Sequence, residues 1–274
     1  MRILLKIGGA QLADGPSRAA LAQAVRAARD AGHELAIVHG GGDQIRALGD
    51  RLGLQHSYHR GLRVTDAETA EVVLMVLGGA VNRRLVASLV AGGVPSIGLS
   101  GADGGLFGAR KYAPDGVDLG FVGEIASTEP RILSALTSQG FVPVIATVAP
   151  LDASEQGDDS HFYNINADQA AAPLARAFRA DALLFLTDVP GVLRDGALVP
   201  VLDPALGAEL EAHGVIAGGM LPKVAAAFAA ARENPDAVVK IAPAGAPNAV
   251  LAALADDVGT RFRTSVAKEI QPHG

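Results

Sequence analysis

The sequence contains no cysteine among its 274 residues and has few aromatic residues, which make up 4% of the chain. The lack of cysteine excludes disulfide bonds, thiolate metal sites and a cysteine nucleophile. Hydrophobic residues nevertheless make up 49%, so the core must be built mainly from alanine, valine, leucine and isoleucine. A chain of this length can form one large α/β domain or two smaller lobes.

The chain also lacks an excess of basic residues, since its formal net charge is −6. This charge argues against nucleic acid or an acidic membrane as the partner. No apolar run approaches the roughly 20 residues of a membrane span, and the N-terminus lacks the pattern of a signal peptide. We therefore expect a cytoplasmic protein that binds neither nucleic acid nor a membrane.

Short apolar runs alternate with helical patterns along most of the chain, which predicts an α/β fold with a mainly parallel sheet and helices on both faces. The predicted strands are Ile3–Ile7, Leu35–His39, Ser96–Leu99, Val142–Ala146, Leu183–Thr187 and Val238–Ile241. The predicted helices are Ser17–Ala31, Asp43–Leu52, Asp66–Val90, Arg131–Gln139, Ala167–Ala180 and Val224–Arg232. Thr65, followed three residues later by Glu68, predicts a capping box at the start of the long third helix.

Two stretches depart from this alternation. Leu106–Ile125 is rich in glycine and alternates weakly, which predicts a β-hairpin. Leu151–His161 is acidic and polar, which predicts a mobile loop. A change of lobe is expected between Arg179 and Ala182, where a helix ends and a new strand begins.

Glycine runs follow the first two predicted strands: Gly8 and Gly9 after the first, and Gly40–Gly42 after the second. Ligands of open parallel sheets bind beyond the carboxyl ends of the strands, where free N–H groups and a helix N-terminus attract anions. The glycines therefore predict close approach of the backbone to a phosphate or carboxylate. The triple glycine equally fits a tight turn without a ligand, and it matches neither the dinucleotide fingerprint nor the phosphate-loop pattern.

Two lysines lie next to sequence features that are typical of anion-binding sites, one beside a glycine run and one at the start of a predicted helix. Alone, Lys6 would be interpreted as a surface lysine on an edge strand, but next to Gly8 and Gly9 a point cation suits an anionic centre. Lys223 follows Pro222 in a predicted first helical turn. A cation is unfavourable there unless an anion meets it, so Lys223 indicates a bound anion.

Further polar residues lie before two of the predicted helices. Arg60 and Arg63 are either solvated loop residues or a guanidinium fork for a substrate carboxylate. Asn166 and Asp168 fit a helix cap and a complement to the helix dipole, which leaves Asn164 unexplained.

The remaining polar residues give weaker signals. Asp188 precedes a Pro-Gly turn and either caps that turn or hydrogen-bonds a ligand. His39 ends a strand and is expected to be structural. The seven histidines show no metal-ligand spacing, and no serine–histidine–aspartate grouping emerges.

Taken in order, these stretches resemble the amino acid kinase family. The resemblance covers nearly the whole chain, through "KIGGA", "VHGGGDQI", "HRGLRVTD", "IGLSGADGGL", "GFVGEI", "YNINADQAA", "LTDVPGVL" and "GGMLPKV". It implies an open αβα sandwich with a mainly parallel central sheet, the carbamate kinase-like fold. It also implies an N-terminal lobe, residues 1–180, for amino acid binding and dimerisation, and a C-terminal lobe, residues 181–274, for ATP.

Within the family, the chain is similar to the members that act on N-acetyl-L-glutamate. The resemblance implies transfer of the γ-phosphoryl group of ATP to the side-chain carboxylate of that substrate, an early step of arginine biosynthesis. An attacking carboxylate carries no proton, so we expect catalysis by positioning and charge stabilisation, without a general base. Mg²⁺ is expected on phosphate oxygens and waters, and no protein ligand for it is assigned.

The resemblance also implies the site residues. Catalytic roles fall on Lys6 and Lys223, which would stabilise the transferring phosphoryl group, and on Asp168, which would orient both lysines. Substrate binding falls on Gly41, Gly42, Arg63 and Asn164. Phosphate and nucleotide binding falls on Gly8, Gly9, Thr187, Asp188 and Met220.

One departure from the family concerns regulation. Arginine-inhibited members carry an additional N-terminal helix that links dimers into hexamers, whereas the first predicted strand here begins at Arg2. We therefore expect a homodimer without strong arginine feedback.

The main alternative is the related kinase that phosphorylates aminoadipate or glutamate attached to an acidic carrier protein, in lysine or arginine biosynthesis. The basic run "GARKY", with Arg83 and Arg84, would attract such a carrier, or it would be an ordinary solvated hairpin. A non-catalytic sensor with this fold is disfavoured, because both lysines and the aspartate between them are present.

Overall fold

The computed structural model describes residues 1–245 and 248–264. In chain order, their strands are β1 (Arg2–Ile7), β2 (Glu34–His39), β3 (Tyr58–His59), β4 (Leu62–Arg63), β5 (Ser96–Leu99), β6 (Phe107–Lys111), β7 (Val122–Thr128), β8 (Val142–Ala146), β9 (Val148–Ala149), β10 (Tyr163–Ile165), β11 (Ala182–Thr187), β12 (Leu193–Arg194), β13 (Ala197–Leu198), β14 (Val201–Leu202), β15 (Val238–Pro243) and β16 (Thr260–Phe262).

The helices of the same residues follow the predicted order. They are α1 (Gly9–Leu12), α2 (Gly15–Asp30), α3 (Gly42–Leu52), α4 (Ala67–Leu74), α5 (Asn82–Ala91), α6 (Arg131–Ser138), α7 (Ala167–Phe178), α8 (Pro204–Ala212), α9 (Met220–Glu233) and α10 (Ala249–Ala252). A π-helical segment, Met75–Val81, joins α4 to α5, and short 3₁₀ turns cover Asp103–Gly105 and Pro114–Gly116. Every strand and helix predicted from the sequence is present.

An eight-stranded sheet in the order β14-β16-β15-β11-β1-β2-β8-β5 forms the middle layer. All neighbours from β15 to β5 are parallel, and β16 is antiparallel to β15. The two faces of β1 pack into different hydrophobic cores. Leu4 belongs to one buried cluster, and Ile3 and Leu5 belong to the other. Continuous apolar strands are expected where both faces of a parallel sheet are covered. The predicted α/β fold, an open αβα sandwich, is confirmed.

The helical run Ala67–Ala91 consists of α4, the π-helical segment and α5. With 25 residues and a mean hydropathy of 1.5 over its best window, it is long and apolar enough to cross a membrane. The expectation that no segment meets this criterion is therefore wrong. The run packs in the core, where Val72, Leu77 and Leu85 are buried with residues of the sheet, so packing in the core accounts for its composition.

The long helical run begins at a different cap from the predicted one. Asp66 is the N-cap, and its carboxylate accepts a 2.8 Å hydrogen bond from the backbone N–H of Thr69. The capping box at Thr65 is wrong, because the buried Thr65 hydroxyl is used elsewhere. It donates to the carbonyl of Arg63 (2.8 Å) and accepts from Asn164 Nδ2 (3.2 Å), which ties β4 to β10.

A second sheet has the order β6-β7-β10-β9. The predicted hairpin is the antiparallel pair β6–β7. The acidic segment 152–160 contains no helix or strand in the described structure. It leads into β10, which pairs with β7 in parallel and precedes α7.

The predicted change of lobe falls just before β11. Since β11 pairs with β1 in parallel, one sheet runs through both proposed lobes. The division into residues 1–180 and 181–274 stays a prediction, and residues 246–247 and 265–274 of the second lobe lie outside the described residues.

Candidate active site

Two adjoining cavities open at the carboxyl ends of the central strands. The first cavity is lined by the glycine turn after β2, the β3–β4 hairpin, β10 and the start of α7. The second cavity is lined by the end of β11 and by Gln11 of α1. Six residues, which we call the shared wall, line both cavities: Lys6, Gly8, Gly9, Asp43, Asp168 and Lys223.

The centre of the shared wall is a carboxylate between two ammonium groups. Lys6 Nζ lies 2.7 Å from Asp168 Oδ1, and Lys223 Nζ lies 4.0 Å from Asp168 Oδ2. Asp168 is held in the first turn of α7 by the N-cap Asn166, whose Oδ1 accepts from the backbone N–H groups of Asp168 (2.9 Å) and Gln169 (3.2 Å). The predicted cap at Asn166 is confirmed, and the structure brings the three predicted catalytic residues together.

Lys6 is not on an edge strand, because β1 lies between β11 and β2. Its side chain is 9% exposed, and burial of a charge is costly unless an opposite charge compensates it. Burial lowers the pKa of Lys6, the carboxylate of Asp168 raises it, and the ammonium of Lys223 lowers it further. Asp168 therefore favours the charged form of a lysine that burial would neutralise.

Lys223 lies in the first turn of α9, as predicted, but it is less enclosed than Lys6. Its side chain is 32% exposed. The single carboxylate at 4.0 Å uses little of the capacity of an ammonium group, which has three donors. Lys223 is therefore available to a second anion at the start of the helix.

The glycine turn after β2 is enclosed by the π-helical segment. A Cβ on Gly41 would come within 2.8 Å of Leu77 Cδ2 and 3.2 Å of Val81 Cγ2, so a larger residue would require these buried side chains to shift. Gly41 is the N-cap of α3, and Gly42 is its first residue. The N-terminus of α3 therefore faces the first cavity with its free N–H groups.

A buried histidine fixes the same turn from behind. His39 Nδ1 donates to the carbonyl of Gly40 (2.9 Å), and His39 Nε2 accepts from Asn82 Nδ2 (3.0 Å). Asn82 also donates to the carbonyl of Val144 (2.9 Å). Burial lowers the pKa of His39 to about 4, which keeps the ring neutral. The predicted structural role of His39 is confirmed.

The first cavity contains both predicted polar substrate residues. Arg63 is buried, with 7% of its surface exposed, and its Nη2 donates to the carbonyl of Gly42 (3.0 Å). Asn164 lies on β10 and faces the same space. The other candidate arginine, Arg60, lies at the surface and pairs with Asp115 at 2.8 Å, so the structure does not place it in the site.

The second cavity is lined by Phe185, Leu186, Thr187 and Asp188 as β11 ends. Thr187 Oγ1 donates to Asp188 Oδ1 (2.9 Å). Met220 does not join these residues: it starts α9 and packs against the core.

Several lining residues have no counterpart in the sequence-based assignment. Asp43 belongs to the shared wall, and its position directly after the triple glycine was an available signal. Tyr58 lines the first cavity, and the scarcity of aromatic residues would have marked it. The sequence carries no comparable signal for Leu77, whose place depends on the π-helical segment.

Among residues 1–245 and 248–264, no group of three or more histidine, aspartate or glutamate side chains is placed to hold a metal ion. Asp168 already faces two ammonium groups. The carboxylates of Asp43 and Asp188 are exposed at the cavities.

A sequence model of the amino acid kinase family matches residues 1–240. The chain belongs to the amino acid kinase family.

Proteins named acetylglutamate kinase are similar over most of the chain. The one from Acidobacterium capsulatum is 47% identical over 227 residues, which are 82% of this chain and 85% of that protein. The one from Solibacter usitatus is 42% identical over 269 residues, which are 97% of this chain and 100% of that protein. A solved structure of carbamate kinase from Giardia lamblia bound to AMP-PNP shares the fold. It has a TM-score of 0.66 at 17% identity and covers 96% of this chain and 98% of its own.

Proposed function

We propose that this protein transfers the γ-phosphoryl group of ATP to the side-chain carboxylate of N-acetyl-L-glutamate. The observation that carries the proposal is the pair of lysines on one aspartate, at a wall shared by two cavities. One cavity would hold the acceptor and the other the nucleotide. The similarity to proteins named acetylglutamate kinase supports this choice of acceptor.

The reaction requires two anions to meet. An oxygen of the acceptor carboxylate forms a bond to the γ-phosphorus as the bond from that phosphorus to the β,γ-bridging oxygen breaks. The products are an acyl phosphate, N-acetyl-L-glutamyl 5-phosphate, and ADP. No proton moves in this step, so positioning and charge stabilisation are the main catalytic requirements.

The shared wall meets these requirements in our proposal. Lys6 and Lys223 would contact oxygens of the transferring phosphoryl group from different elements of the fold. Asp168 would keep both ammonium groups directed at that group. Gly8 and Gly9 would allow close approach of the phosphate, because glycine places no side chain in the shared wall.

Arg63 would set the orientation of the acceptor. In the described structure it lines the first cavity and is not part of the shared wall, so it would bind the α-carboxylate while the side-chain carboxylate reaches the lysines. A guanidinium group has five N–H groups, enough for a bidentate contact beside its protein partners. Asn164 and the N–H groups at Gly41 and Gly42 would bind the rest of the acceptor.

The second cavity would hold ATP, with Thr187 and Asp188 at the end of β11. Mg²⁺ would bind to the phosphate oxygens, where it neutralises charge. Asp43 and Asp188 are exposed carboxylates that line this cavity. The assignment of Met220 to the nucleotide rests on the resemblance alone.

We further propose that the protein is cytoplasmic and forms a homodimer. The carrier-linked alternative receives less support from the structure. Its basic run lies on the β6–β7 hairpin, where Arg110 pairs with Glu124 and Lys111 pairs with Asp118, both at 2.8 Å. These acidic neighbours offset the charge that would attract an acidic carrier.

The test is ADP release with ATP, Mg²⁺ and N-acetyl-L-glutamate, with the acyl phosphate trapped by hydroxylamine as a hydroxamate. Matched reactions contain glutamate, N-acetyl-L-aspartate or carrier-bound glutamate and aminoadipate. We expect rapid turnover and hydroxamate formation with N-acetyl-L-glutamate, and much slower turnover with the others. Turnover confined to the carrier-bound acceptors would establish the alternative instead.

A further inference from the structure

A second layer of polar groups lies behind Arg63. Arg63 Nη1 lies 2.9 Å from His56 Nδ1, and His56 Nε2 lies 3.1 Å from Asp50 Oδ1. The guanidinium also lies 4.9 Å from the centre of the Tyr58 ring. A histidine and an aromatic ring therefore lie against an arginine that lines the first cavity, and an aspartate lies behind the histidine.

The hydrogen bonds determine which nitrogen of His56 carries the proton. A guanidinium group can only donate, so Nδ1 must be the acceptor and the proton must reside on Nε2. Asp50 accepts from Nε2–H, which favours this tautomer. With one N–H group on His56 and one on the carbonyl of Gly42, Arg63 keeps three of its five for a carboxylate.

The local sequence makes room for this imidazole. Gly49 lies inside α3, where glycine is unfavourable compared with alanine. A Cβ on Gly49 would come within 2.5 Å of His56 Cε1 and 3.1 Å of His56 Nε2. The glycine is therefore explained by the ring that lies against the helix.

We propose that His56 is a positioning residue that fixes the guanidinium of Arg63 for the second carboxylate of the amino acid substrate. Asp50 fixes the tautomer of His56, and Gly49 provides its space. This inference rests on the proposed function, because it concerns the substrate that Arg63 would bind.

The central experiment compares His56→Leu with His56→Asn. Leucine removes the acceptor, whereas asparagine keeps an oxygen close to the position of Nδ1. We expect H56L to raise KM for N-acetyl-L-glutamate roughly tenfold, as for loss of a hydrogen bond to a charged group, with kcat and KM for ATP within about twofold of wild type. H56N should restore KM to within about threefold.

A double-mutant cycle tests whether His56 acts through Arg63. In an Arg63→Met background, H56L should have no further effect on KM. Equal impairment of H56N and H56L would overturn the proposal, as would an additive effect of H56L in the R63M background or a loss confined to kcat.

A second variant covers the case in which H56L does not fold, which circular dichroism would reveal. Gly49→Ala retains His56 but displaces its ring, so KM for the acceptor should rise while kcat changes little. An unchanged KM in G49A would then contradict the proposal. If wild type uses a different acceptor, the proposed function fails, and the same KM ratios measured with that acceptor decide the role of His56 separately.

Discussion

The two sides of the site are built differently. On the side formed by β1 and β2, Lys6 is 9% exposed, and the glycine turn is held by buried hydrogen bonds of His39 and Asn82. On the side formed by β11 and α9, Lys223 is 32% exposed, and Asp188 is exposed at the cavity.

This difference indicates that the side formed by β1 and β2 is prearranged, whereas the side formed by β11 and α9 can adjust when a ligand binds. Groups fixed by packing and hydrogen bonds need no rearrangement during the reaction, which is the basis of electrostatic stabilisation by preorganised groups. We expect the side formed by β1 and β2 to be arranged for the acceptor before it binds. We expect Lys223, on the side formed by β11 and α9, to complete its contacts when the nucleotide binds. The following variants challenge that comparison.

The largest expected effect comes from the lysines themselves. We expect Lys6→Met to lower kcat roughly 10³-fold and Lys223→Met roughly 10²-fold, in the range typical of a lost preorganised donor. The larger loss falls on Lys6 because its removal also leaves the buried carboxylate without its partner at 2.7 Å. A coupled ADP assay measures both, with the exposed Lys111→Met on the β6–β7 hairpin as the control. A greater loss for K223M would reverse the comparison.

The next effect concerns the charge of Lys6. Asp168 raises the pKa of Lys6 against the lowering effect of burial, so Asp168→Asn should lower that pKa further. We expect kcat to fall roughly 10²-fold and its decline at alkaline pH to begin at a lower pH than in wild type. The pH dependence of kcat measures both changes. If kcat of D168N begins to decline at the same pH as wild type or at a higher pH, Asp168 does not control the charge of Lys6.

The smallest effect is on stability. Burial lowers the pKa of His39 from 6.5 to about 4, so between these values the unfolded chain binds the proton more strongly. Stability is therefore fully present above pH 6.5 and is lost as the pH falls towards 4, by about 2 kcal/mol at pH 5. Urea denaturation at pH 7 and pH 5 measures this loss. In His39→Gln, the part of the loss of unfolding free energy between pH 7 and pH 5 that comes from His39 should disappear. If the variant loses as much stability as wild type, the side formed by β1 and β2 does not depend on a neutral histidine.

Much of the fold could be predicted because alternating apolar runs and glycine turns are local signals. Lys6 and Lys223 each stand beside a feature that indicates an anion, but their convergence on one phosphoryl group was implied only by the resemblance to the amino acid kinase family. The start of α4 could not be predicted, because Thr65 and Asp66 are both residue types that commonly form the N-cap of a helix. The choice between them depends on Asn164, which lies 99 residues away from Thr65.

The surroundings of Arg63 were equally beyond prediction. The arginine itself was found through its motif, but its contact with His56 depends on how the β3–β4 hairpin lies against α3. The seven histidines lack metal spacing, and nothing local separates His56 from an exposed loop residue. Contacts of this kind are set by tertiary packing, which residue spacing does not encode.

The π-helical segment Met75–Val81 controls the rotational phase of the long helical run. Its i to i+5 pattern accommodates extra residues relative to an α-helix, so α5 starts at a different angle from the one an uninterrupted helix would give. Each residue turns an α-helix by about 100°, so straightening this segment to an α-helix without removing a residue would swing Asn82 away from His39. The π-helical geometry of this run therefore determines whether Asn82 reaches the histidine that fixes the glycine turn of the first cavity.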